Sequence, residues 1–85
     1  MKAIHDKEYQ QLLEMLRSKR NEMGMTQEQL ASILGVRQGI ISKIETCERR
    51  LDIIELRNIC KALDISFLGF VIEFDKCLNK HKIEH

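Results

Sequence analysis

The sequence predicts an all-α fold in which five short helices pack round one small core. Apolar residues recur at three- and four-residue steps along most of the chain. Residues that cap helices stand where those stretches begin. There is no proline to interrupt them, and 44% hydrophobic with 32% charged residues is a globular composition, outside the disordered range. A chain of 85 residues fits a single domain with a limited core. That domain is expected over residues 6–79, with flexible ends at 1–5 and 80–85.

The first helix is expected near 7–23. Asp6 caps it, Tyr9, Leu12, Leu13 and Leu16 share one face, and Arg17, Lys19 and Arg20 favour the negative end of its dipole. Gly24 is placed to end it. Thr26, with Gln29 three positions on, forms a capping box for a second helix at 27–34 that buries Leu30, Ala31 and Leu34. Gly35 stops that helix, and the apolar pattern restarts at once with Ile40, Ile41 and Ile44, a third helix at 38–45. Two short helices across a tight glycine-containing turn make a helix-turn-helix.

Beyond the polar stretch Thr46 to Arg50, Asp52 caps a fourth helix at 53–63 carrying Ile53, Leu56, Ile59, Cys60 and Leu63. Ser66 caps a fifth at 67–79, where Phe67, Phe70, Val71, Phe74, Cys77 and Leu78 recur at helical spacing. A short strand at 70–74 is the competing reading there. Its alternation is poor, because Val71 and Ile72 are both apolar.

Several function classes are disfavoured. The first six residues turn charged at once, with no apolar signal core, and the stretch from Ile65 to Phe74 is too short to span a bilayer. Cys47, Cys60 and Cys77 are odd in number and widely spaced, against both a disulfide framework and a zinc site. His81 and His85 have ligand spacing without a third ligand, and His5 stands apart from them, so no metal and no cofactor is expected. No histidine neighbours a plausible nucleophile and no phosphate loop is present, so no enzyme is expected. Reduced thiols point to the cytoplasm.

The segment from Met25 to Leu63 resembles the helix-turn-helix domain of the Cro and lambda-repressor type, the XRE family. Thr26-Gln27, Leu30-Ala31, Gly35-Val36, Gln38, Ile41-Ser42, Ile44-Glu45 and Leu63 fall at the family's spacing. Glu48-Arg49-Arg50-Leu51-Asp52 resembles a recurrent loop-to-helix sequence of bacterial members. The resemblance implies a lambda-repressor-like five-helix bundle that places its third helix in the major groove of double-stranded DNA. It implies base contacts from Gln38, Lys43, Arg37 and Gly39. Phosphate contacts would come from Gln27, Ser42, Arg49 and Arg50, and a partly buried ion pair from Arg20 and Glu45. Two departures stand out. Arg37 replaces the usual Ser or Thr cap, and Cys47 replaces a glycine in the loop after the third helix.

The net charge is only +1, modest for a nucleic-acid binder. A homodimer would compensate by linking two half-sites. Phe70, Val71, Phe74 and Leu78, with Phe67 turned inward, are expected to form its interface. The function expected is a dimeric transcription regulator, a repressor or an activator, on a palindromic operator. The alternative is the antitoxin of a toxin–antitoxin pair, holding a toxin protein through the C-terminal region.

Overall fold

Four of the five described helices start where a side chain satisfies their first backbone N–H groups. The computed structural model describes residues 6–83, with side chains placed for residues 6–80. His5, His81 and His85 and the remaining end residues, with what was expected of them, lie outside the described side chains. Five helices make up the described chain: α1 (Lys7–Glu22), α2 (Gln27–Leu34), α3 (Gln38–Glu45), α4 (Ile53–Ala62) and α5 (Phe67–Ile83). The fifth runs past the expected end near 79 into the segment read as flexible.

Asp6 Oδ1 accepts from the N–H groups of Glu8 and Tyr9 at 2.8 and 3.2 Å, starting α1. Complete capping boxes open α2 (Thr26 with Gln29) and α4 (Asp52 with Glu55). Ser66 Oγ accepts from Gly69 N–H at 2.9 Å and starts α5. The exception is α3: Arg37 sits at its N-cap without a side-chain hydrogen bond.

The turn between α2 and α3 needs a left-handed residue, and Gly35 takes φ 70° there. Two residues with side chains adopt the same region, Cys47 at φ 62° and Asp64 at φ 57°. Cys47 thus keeps the backbone path that a glycine would take. A left-handed residue with a Cβ costs about 1–2 kcal/mol, and burial of the Cys47 side chain in the core offsets it.

Leu13 and Leu16 of α1, Leu30 and Ala31 of α2, Ile41 and Ile44 of α3, and Leu56, Ile59 and Cys60 of α4 close the core together with Leu63. Phe70 of α5 joins them at 3% exposure. This corrects the expectation that Phe70 faces a partner. The inward side of α5 carries Phe70 with the half-buried Phe74, Cys77 and Leu78, and the exposed Glu73 reaches Lys19 of α1 at 3.3 Å. Phe67 is only half-buried. With about 100° per residue, the most buried position lies roughly 60° round the helix from Phe67, the residue expected to point inward. No helix among the described residues is long and apolar enough to cross a membrane.

Candidate nucleic-acid interface

Burying Ile41 and Ile44 fixes how α3 rolls against α1 and α2. Whatever lies opposite must face solvent. Gln38, Gly39, Lys43 and Thr46 are exposed and Ser42 is half-buried. On a helix these residues fall within an arc of roughly 140°, opposite the two isoleucines. Arg37, just before the helix, is exposed as well.

A polar chain runs from the interior to that face. Arg20 Nε and Nη2 donate to the two carboxylate oxygens of Glu45 at 2.7 and 3.0 Å, while Nη1 donates to the Met25 carbonyl at 2.6 Å. The pair is almost sealed from water, with side chains 10% and 5% exposed. Glu45 Oε1 also accepts from Gln27 Nε2 at 2.9 Å, and Gln27 Oε1 accepts from Gln38 Nε2 at 2.8 Å.

This chain sets the polarity of Gln38. An ionised carboxylate only accepts, so the Gln27 amide must turn its nitrogen to Glu45 and its oxygen to Gln38. Gln38 must then give an N–H. It keeps its own Oε1 and a second N–H, one acceptor and one donor, directed from the first turn of α3. Gln27 likewise keeps one N–H beside the start of α2, where an anion is favoured.

The loop after α3 is tied down from two sides. Tyr9 of α1 accepts the Leu51 N–H at 2.8 Å and donates to the Arg49 carbonyl at 3.4 Å. The Arg50 guanidinium lies over the Tyr9 ring, 5.1 Å from its centre, and stays exposed. Burial pushes the Tyr9 hydroxyl above its ordinary pKa, so it is neutral and free to donate. Arg49 behaves differently from its neighbour. Its Nη2 donates to Glu55 Oε2 at 2.7 Å, and its Nη1 is buried without a partner. The Arg49 side chain, then the Asp52 N–H, hold the Glu55 carboxyl below the usual carboxylate range.

The structure therefore brings Gln38, Gly39, Ser42 and Lys43 to one side of α3, with Gln27 joined to it through Gln38, while Arg37 and Arg50 are exposed in the segments before and after the helix. Arg49 is turned toward Glu55. Tyr9 and Glu55 were not singled out from the sequence. The Asp52–Glu55 spacing is a readable capping signal, whereas Tyr9 read only as a member of an apolar stripe. Burial raises the thiols of Cys47 and Cys60, which keeps both protonated.

On α5, Val71 is exposed and Phe74 and Leu78 are half-buried. Leu68 and Ile72, 68% and 47% exposed, extend the same apolar side.

A family model described as helix-turn-helix matches residues 16–70. No curated protein sequence matches the chain significantly. Among solved structures, an XRE-family-like protein from Pseudomonas syringae pv. tomato superposes with a TM-score of 0.82 at 36% identity, over 86% of this chain and 89% of its own. The restriction-modification controller protein C.Esp1396I, in a mutant form, gives 0.80 at 32% identity over 92% and 99%. The clp gene regulator ClgR from Corynebacterium glutamicum gives 0.76 at 25% identity over 95% and 86%.

Proposed function

The chain belongs to the XRE family of helix-turn-helix DNA-binding transcription regulators, and on that premise we propose that it reads a palindromic operator as a homodimer. The observation that carries the base-reading part is the Glu45–Gln27–Gln38 chain. It presents Gln38 with a fixed donor and acceptor, the complement of the adenine N7 and N6 edge in the major groove. Lys43 lies further along the same face and suits a guanine edge or a phosphate. Gly39 lets the backbone come close, and Arg37 adds a cation at the helix start.

Phosphate contacts fall to Gln27, Ser42 and Arg50, which fix register. The controller protein and the clp gene regulator support a regulatory role by likeness. Such a role needs no catalytic step and is exercised on DNA, in the cytoplasm. For the dimer, Val71, Phe74 and Leu78 remain in the proposed interface, with Leu68 and Ile72 replacing Phe70. A toxin protein seated on that α5 face would be the antitoxin alternative. The same helix-turn-helix reading of DNA would hold in either case.

Selection of bound sites from random duplex DNA tests the proposal, with a palindrome expected. On the selected site, Gln38→Ala should cost about 1–3 kcal/mol of discrimination and leave binding to random DNA nearly unchanged. Arg50→Ala should weaken both and flatten the salt dependence by about one unit of slope. Equal losses on both duplexes for Gln38→Ala would rule out base reading by that residue.

A further inference from the structure

The two arginines of the loop after α3 are adjacent in sequence and opposite in presentation. Arg50 is exposed over Tyr9. Arg49 has Nη2 on Glu55 and Nη1 buried without an acceptor, so its guanidinium is engaged within the chain. Glu55 is itself rigidly held. Its Oε1 accepts the Asp52 N–H at 3.0 Å, and its own N–H donates to Asp52 Oδ1 at 2.7 Å. One carboxylate oxygen thus serves the cap of α4, and the other is left to face Arg49.

We propose that Glu55 is an affinity-determining residue for DNA binding: its carboxylate occupies the guanidinium of Arg49 in place of a DNA phosphate and thereby lowers the affinity of the chain for any duplex. The inference rests on the DNA-binding reading above and deepens it. To reach a phosphate, Arg49 must leave one anion for another, so the exchange gains little. It would also leave an uncompensated carboxylate beside the phosphate backbone.

A purely stabilising role fits the geometry poorly. The two side chains are 37% and 32% exposed, and ion pairs at such exposure contribute little to folding. The pairing also leaves Arg49 Nη1 without a hydrogen bond, so Glu55 satisfies only part of the guanidinium. The cap of α4 does not need the charge, because glutamine serves that position as well as glutamate.

Glu55→Gln separates the two roles of the residue, since it keeps the cap and removes the anion. Binding is measured on the full chain between 0.05 and 0.2 M salt (a range of about that width resolves the slope), with a selected operator duplex and a random duplex. The expected result is a salt slope steeper by about 0.9, one further phosphate neutralised. That corresponds to roughly eightfold tighter binding to both duplexes at about 0.1 M salt. Arg49→Ala should leave the slope of the native chain unchanged and flatten it by about 0.9 in the Glu55→Gln background. The single Arg49→Ala variant decides the matter even if Glu55→Gln fails to fold, because a flattened slope in the otherwise native chain overturns the proposal. An unchanged or weaker affinity of Glu55→Gln also overturns it, while native binding remains intact. A native chain that binds neither duplex overturns the DNA-binding reading itself, and this inference with it.

Discussion

Arg20 is the residue on which the recognition helix depends most directly. Its planar fork serves three acceptors at once, two on Glu45 and one on the Met25 carbonyl. Lysine cannot reproduce that geometry. Removing the guanidinium strands a carboxylate that is almost wholly buried, which typically costs about 3–5 kcal/mol. Small domains have only about 5–15 kcal/mol of stability in total. Arg20→Ala should therefore lower the urea midpoint sharply, and a loss below about 1 kcal/mol would mean that Glu45 finds water instead. The family resemblance pointed to this pair from sequence. It did not show that Glu45 also orders Gln27 and, through it, Gln38. That link depends on side-chain polarity across three elements, which spacing along the chain does not encode.

At the scale of elements, α3 is the weakest in its own right. It has eight residues and no side-chain cap, whereas α2 and α4 each open with a complete capping box. Arg37 at the N-cap adds a cation at the positive end of the helix dipole, which opposes folding. A serine there should stabilise the protein by about 1 kcal/mol. Loss of the cation should at the same time weaken DNA binding, if Arg37 reaches a base or a phosphate. Arg37→Ser is thus expected to raise the melting temperature and lower the affinity; a rise in both would remove Arg37 from the interface. The fifth helix shows where pattern reading ends. Phe67, Leu68, Phe70, Val71, Ile72, Phe74, Cys77 and Leu78 spread round much of its circumference. Periodicity cannot choose a face from so even a distribution, and contact with α1 and α4 turned Phe70 inward.

For the molecule as a whole, the modest charge of +1 makes a second half-site valuable. Two linked recognition helices about 34 Å apart would read one turn of DNA, and linkage can raise avidity by about 10²–10⁴. Ile72 is the best place to test this, being half exposed in the single chain. Ile72→Glu should leave the fold intact and give a monomer by light scattering. Its affinity for the palindrome should fall by about two orders of magnitude or more. A native chain that stays monomeric at high concentration, and binds a half-site as well as a palindrome, would end the dimer proposal.

The sequence by itself determined the helices and the motif. Their caps, stops and apolar spacing are local, and each is set by residues within a few positions of one another. Thr26 with Gln29, Asp52 with Glu55, Gly35 at the turn, and Ile41 with Ile44 all belong to this class. The tertiary structure decided what long-range packing alone can decide: the roll of α5, the clasp of Tyr9 on Leu51 across 42 positions, and the link from Glu45 through Gln27 to Gln38. The physical reason is the same in each case. A short-range pattern fixes which backbone forms, but a side chain that can serve two neighbours takes the one that the assembled fold brings within hydrogen-bonding distance.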